Sequence, residues 1–225
     1  MSRSVTLLLA VLLAVPAFAF GAPPTTPEAI AMWDAPLAAF AAADSKQAPP
    51  PNGVLFVGSS SIRLWDGLQS DFASLPVVIN RGFGGSTLSD CVHYLDRLVV
   101  RYRPRLVLVY AGDNDLAEGK TADDVLHQFD AFVQGVHAAL PETRIAFISI
   151  KPSPARASLL PEIRRANLLV EQFAHTHPGV AYVDVFTPML AADGSPRGEL
   201  FRPDALHLNA TGYALWKSVI SHYVN

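Results

Sequence analysis

Gly58-Ser59-Ser60-Ser61 and a distant Asp204-Ala205-Leu206-His207 contain the side chains from which a hydrolytic site could be built. A serine hydroxyl is a weak nucleophile until a base takes its proton, and imidazole is poised to do so near neutral pH. At positions i and i+3, Asp204 and His207 can share one face of a turn. The carboxylate would then accept the Nδ1–H proton and leave Nε2 to face Ser60. A tetrahedral intermediate also needs hydrogen-bond donors, and losing one typically costs ~10²–10³ in rate. The candidate donors are the Ser60 backbone N–H, the Gly85 N–H and the Asn114 side-chain amide. Glycine suits position 85 because backbone approached closely by a ligand tolerates no Cβ.

These groups belong to polar, glycine-rich segments that each follow an apolar run. The runs are Val54–Val57, Val77–Ile79, Leu106–Tyr110, Ile145–Ile150 and Val180–Val185. They are rich in Val and Ile with polar residues only at their ends, the pattern of parallel strands buried on both faces. Between them, apolar residues at three- and four-residue spacing predict helices over Thr87–Val100, Ala122–Leu140, Leu160–His175 and Ala210–Tyr223. A further helix is expected over Glu28–Ala43, packed outside the domain and ended by the Pro-rich Gln47–Gly53 stretch. Strand–helix alternation of this kind predicts one α/β domain with a right-handed, doubly wound sheet. In such a sheet ligands bind beyond the carboxyl ends of the strands, which is where Ser60, Gly85 and Asn114 fall.

Four blocks of this sequence resemble those of the SGNH (GDSL-type) hydrolases, in the family's order and across nearly the whole mature domain. They are Phe56-Val-Gly-Ser-Ser60, Gly82-Phe-Gly-Gly85-Ser-Thr87, Gly112-Asp-Asn114-Asp115 and Asp204-Ala-Leu-His207. The resemblance implies a three-layer α/β/α fold around a flavodoxin-like parallel sheet of about five strands, with no metal and no cofactor. It assigns Ser60 as nucleophile, Ser60 N–H, Gly85 and Asn114 as oxyanion donors, His207 as base and Asp204 as its orienting acid. It also implies an esterase, lipase, thioesterase or carbohydrate deacetylase activity. One departure stands out: the family's Gly-Asp-Ser reads Gly58-Ser59-Ser60. Ser60 aligns with the nucleophile, and Ser59 and Ser61 would be displaced from the base.

Plainer readings of the same residues carry less. Gly58–Ser61 alone would pass for a strand-to-helix turn with a serine N-cap. Ile62 stands where a nucleophile elbow has its second Gly, and no Lys follows as a phosphate loop requires. Asp113-Asn-Asp115 opens like a calcium loop but lacks the later Gly and Glu. His93, His127, His137, His175, His177 and His222 have no acidic partner at useful spacing. Lys151–Ala155, with Phe83 and Arg202, is expected to form a stiff rim of the substrate pocket.

Composition narrows the function classes. At 225 residues with 50% hydrophobic and 16% charged residues, the chain suits one globular domain. A net charge of −3 without clustered Lys or Arg argues against nucleic acid as a partner. Cys91 has no partner for an intramolecular disulfide and reads as a buried small hydrophobe. Arg3, the apolar Val5–Phe20 run and Ala17-Phe18-Ala19 have the form of a signal peptide over residues 1–21. Residues 22–52 would then be an N-terminal helix and Pro-rich linker, and 53–225 the hydrolase domain. The expectation is an exported (periplasmic or extracellular) serine esterase, with no integral membrane segment after signal removal. Its substrate would be a small-molecule or glycan ester, with short acyl groups or acetylated sugars favoured. An O-acyltransferase and a non-catalytic carbohydrate- or peptidoglycan-binding domain are the alternatives, and a binding module has no need of Ser60, Gly85, Asn114, Asp204 and His207 together.

Overall fold

A computed structural model describes residues 27–224 of the chain. The expected signal peptide lies outside the described residues. Strands β1 (Val54–Gly58), β2 (Val78–Gly82), β3 (Leu106–Tyr110), β4 (Arg144–Ile148) and β5 (Val180–Val183) form one sheet in the order β2-β1-β3-β4-β5. Every pairing is parallel. The order is that of the flavodoxin type, with its switch point between β1 and β3, and the fold is the expected three-layer α/β/α arrangement.

The apolar runs are continuous because both faces of the sheet are covered. Leu55, Val57, Val107, Val109, Ile145 and Phe147 face one core, while Val54, Phe56, Leu106, Leu108, Ala146 and Ile148 face the other. Helices α4 (Leu88–His93), α5 (Leu95–Leu98), α7 (Ala122–Ala139) and α8 (Leu160–Thr176) cover the first face. Helices α2 (Ser60–Arg63), α3 (Leu68–Asp71) and α9 (Ala210–Ile220) cover the second, and the one-turn α6 (Asp113–Ala117) follows β3. Capping boxes at Thr87/Asp90 and Thr121/Asp124 start α4 and α7, satisfying backbone N–H groups that the first turn leaves open. Among the described residues no helix is long and apolar enough to cross a membrane.

Strands β4 and β5 and helix α9 end two or three residues before the expected Ile150, Val185 and Tyr223, and three larger differences bear on the site. The helix expected over Thr87–Val100 is two helices, because Tyr94 (φ −99°, ψ 20°) leaves helical geometry between α4 and α5. Strand β2 runs on through Asn80 and Arg81 to Gly82, where polar residues suggested a loop. Arg81 is tolerated inside the sheet because its guanidinium pairs with Asp44 at 2.6 Å and stacks on Tyr102 at 4.4 Å. Asp44 belongs to α1 (Pro27–Lys46), which is longer than expected and reaches into the core through Trp33 and Leu37. Trp33 meets Phe83 edge-on at 5.0 Å, so α1 buttresses the loop that follows β2.

Candidate active site

The turn after β1 exists because residue 58 is glycine. Gly58 has φ +128°, and a Cβ there would lie 1.9 Å from the Tyr110 carbonyl oxygen. The chain then turns through Ser59, the N-cap of α2, so that Ser60 is the first helical residue. Its backbone N–H has no acceptor within the helix, as at any helix start. Ser60 Oγ lies 3.0 Å from His207 Nε2, across 147 residues of sequence. Ser59 and Ser61 are fully buried, and their hydroxyls make no hydrogen bond to the imidazole or to any other group. Of the three serines, Ser60 is the one that the fold presents to His207.

His207 sits on a short loop closed by the Phe201–Leu208 bridge and by an Arg202 N–H bond to the His207 carbonyl at 2.7 Å. Asp204 Oδ1 accepts the backbone N–H groups of His207 at 2.9 Å and Leu206 at 3.0 Å. Its Oδ2 lies 2.7 Å from His207 Nδ1. The His207 backbone N–H first, then the imidazole and the Leu206 N–H, hold the Asp204 carboxyl well below the usual carboxylate range. A carboxylate only accepts, so Nδ1 carries the proton and Nε2 is left with its lone pair towards Ser60.

The second and third loops are tied together. Gly85 takes φ +87°, a left-handed conformation that costs other residues 1 kcal/mol or more by rough estimate. Asn114, early in α6, donates from Nδ2 to the Ser86 carbonyl at 2.9 Å and accepts at Oδ1 from Arg156 Nη2 at 2.8 Å. One Nδ2 hydrogen remains for a ligand. Gly112, at φ +110°, forms the N-cap turn that starts α6.

Beneath Asn114 lies a buried ion cluster. Asp113 Oδ2 accepts from Lys151 Nζ at 2.8 Å and from the Tyr110 hydroxyl at 3.0 Å. Arg156 Nη1 lies 3.1 Å from the same oxygen, as an ion pair without hydrogen-bond alignment. Burial alone would raise the Asp113 carboxyl, but the Lys151 and Arg156 cations outweigh it and hold it below its ordinary value. Asp115 turns the other way and accepts the Leu88 N–H at 3.1 Å. Burial pushes its carboxyl up to about 7. The two aspartates that suggested a calcium loop therefore face different partners. Cys91 is buried and free, and burial raises its thiol.

A model of the GDSL-like lipase/acylhydrolase family matches residues 53–215. The chain belongs to this family. Among curated relatives, platelet-activating factor acetylhydrolase IB subunit alpha1 from Bos taurus is 30% identical over 180 residues, covering 76% of this chain and 73% of that protein. Among solved structures, a Streptococcus pneumonia protein named for platelet activating factor superposes with a TM-score of 0.77 at 22% identity, covering 87% of this chain and 94% of that one. A GDSL-like lipase from Bacteroides thetaiotaomicron gives 0.71 at 20% identity, covering 84% and 96%. Membership of the GDSL-like family makes the protein a serine hydrolase acting on esters.

For this GDSL-like enzyme the expected pocket rim needs correction. Phe83 is fully buried beneath Trp33, and Lys151 is fully buried on Asp113, so neither lines a surface. Lys151 lies three residues past the end of β4, and its charge finds Asp113 rather than solvent. Arg202 is partly exposed and spends its Nε on the Leu208 carbonyl at 2.9 Å. Arg156, Asp113 and Tyr110 were not foreseen as part of the site. A lysine directly after an apolar run, opposite an aspartate at the next strand end, is the signal that points to them.

Proposed function

We propose that the protein is an exported esterase that cleaves carboxylic esters through an acyl-Ser60 intermediate, with short acyl groups such as acetyl preferred. The reading rests on the hydrogen-bonded series Ser60 Oγ, His207 Nε2, His207 Nδ1 and Asp204 Oδ2. As Ser60 Oγ bonds to the ester carbonyl carbon, His207 Nε2 takes the hydroxyl proton and Asp204 steadies the imidazolium. The carbonyl π electrons move to oxygen, where the Ser60 N–H, the Gly85 N–H and the free Asn114 N–H receive the negative charge. Collapse breaks the bond to the alcohol oxygen, which leaves with the proton from His207. Water then repeats the sequence on the acyl-enzyme, giving its proton to His207 and releasing the acid.

The preference for short acyl groups is supported by the acetylhydrolase relatives and by the lack of a long apolar segment near the site loops that could serve as a lid. Export is supported by the form of residues 1–21, with residues 53–225 as the hydrolase domain. A fluorophosphonate probe is expected to label Ser60, and Ser60→Ala is expected to stay folded and lose hydrolysis of p-nitrophenyl acetate. Labelling at Ser59 or Ser61, or full activity of the variant, would overturn the assignment. A panel of acyl lengths and acetylated glycans then ranks the substrates.

A further inference from the structure

The Asn114 amide must present N–H, not C=O, to a developing oxyanion, and its two ends are nearly the same shape. The protein makes the choice with two partners of opposite kind. Arg156 Nη2, which can only donate, holds Oδ1 at 2.8 Å, and the Ser86 carbonyl, which can only accept, holds Nδ2 at 2.9 Å. A flipped amide would set donor against donor and acceptor against acceptor. Arg156 is itself fixed from below, where Asp113 is shared between it and Lys151. Arg156 and Lys151 side chains are 15% and 1% exposed, so water screens this cluster weakly.

We propose that Arg156 is a positioning residue for ester hydrolysis: it locks the orientation of Asn114 and polarises its amide towards the oxyanion. The proposal rests on the acyl-Ser60 reading above. Two cations sharing one carboxylate also leave positive charge beside Asn114 Oδ1. That charge at Oδ1 draws electron density from the free Nδ2–H, so the amide donates more strongly to charge that exists only in the transition state. Its loss therefore falls on kcat rather than on KM. The role is indirect, since Arg156 acts through Asn114 and need not touch the substrate.

A double-mutant cycle separates this role from the alternatives. Kinetics of p-nitrophenyl acetate hydrolysis and rates of fluorophosphonate labelling would be measured for the full-length protein, Asn114→Ala, Arg156→Gln, Arg156→Lys and Asn114→Ala/Arg156→Gln. Asn114→Ala is expected to lower kcat by ~10²–10³. Arg156→Gln is expected to lower kcat by about tenfold or more with KM little changed, and Arg156→Lys, which keeps one donor and the charge, to recover part of it. In the Asn114→Ala background the Arg156 change should add almost nothing, because the group it positions is gone. Multiplicative losses, a rise in KM alone, or an Arg156→Gln variant as active as the parent would overturn the proposal. Full activity of Asn114→Ala would instead overturn the oxyanion assignment on which it rests. Thermal melts of each variant separate folding loss from these effects, and the labelling rate covers a variant that turns over too slowly to assay.

Discussion

Replacing Asp204 with Asn tests the orientation of the imidazole. Asp204 Oδ1 serves two backbone N–H groups at 2.9 and 3.0 Å, while Oδ2 serves His207 Nδ1–H at 2.7 Å. Asparagine keeps one oxygen, and the two backbone donors will retain it. Its NH₂ then replaces Oδ2 and turns a donor towards Nδ1. Nδ1 must accept, the ring proton moves to Nε2, and Nε2–H faces Ser60 Oγ at 3.0 Å as a second donor. A base in that tautomer cannot take the serine proton. The same change in the Ser-His-Asp proteases costs ~10⁴ in kcat. Here the Asp204 side chain is 47% exposed, so water can replace part of the lost acceptor. The expected loss is therefore ~10²–10⁴, or about 3–5 kcal/mol at 1.36 kcal/mol per decade. Melting should move by less than about 2 °C, because the loop keeps its backbone bonds. Initial rates with p-nitrophenyl acetate at mildly alkaline pH, checked by fluorophosphonate labelling, read the effect. A variant retaining more than about a tenth of parental kcat would refute the tautomer argument.

Two further substitutions probe the frame. Gly82→Ala would place a Cβ 2.2 Å from the Arg63 backbone nitrogen, on the helix that carries Ser60. We expect a loss of about 2–3 kcal/mol, or roughly 4–12 °C in Tm, together with reduced kcat; unchanged melting and turnover would refute the close-contact argument. Asp115, with its carboxyl raised to about 7, binds its proton more tightly folded than unfolded, where Asp titrates near ~3.9. This group therefore withdraws stability as pH rises from about 4 to about 7, by at most about 4 kcal/mol, and the penalty persists above. Asp115→Asn keeps an acceptor for the Leu88 N–H and does not titrate, so its Tm relative to the parent should climb between about pH 5 and pH 8. A constant difference between the two pH values would contradict the assignment.

Much of the site was legible because α/β proteins place their ligands where apolar runs stop. Gly58, Gly85 and Gly112 mark the turns, Ser60 and Asn114 stand two residues after Gly58 and Gly112, and Asp204 and His207 lie three apart. Their chemistry is local, so residue type and short spacing suffice to find them. What stayed hidden depends on contacts across long sequence gaps. Arg156 reaches back 42 residues to Asn114, and Lys151 reaches back 38 to Asp113. Neither spacing leaves a periodic trace, and a lone cation in a Pro-rich stretch reads as solvent-facing. Arg81 misled in the same way, since its partner Asp44 lies on α1, outside the strand–helix alternation. Ser60 was chosen over Ser59 and Ser61 by the resemblance of Phe56–Ser60, and the helix register after Gly58 gives the geometry behind that choice.

The nucleophile and its base come from opposite ends of the domain, and that separation has a consequence for the life of the chain. In a growing polypeptide Ser60 and Asn114 are made before His207. Such an intermediate holds a serine with no base, so it cannot attack esters it meets before the last loop closes. Catalysis requires the loop that carries Asp204 and His207 to be in place beside Ser60. Turnover therefore reports a contact made across 147 residues of sequence, which measures of sheet content alone do not.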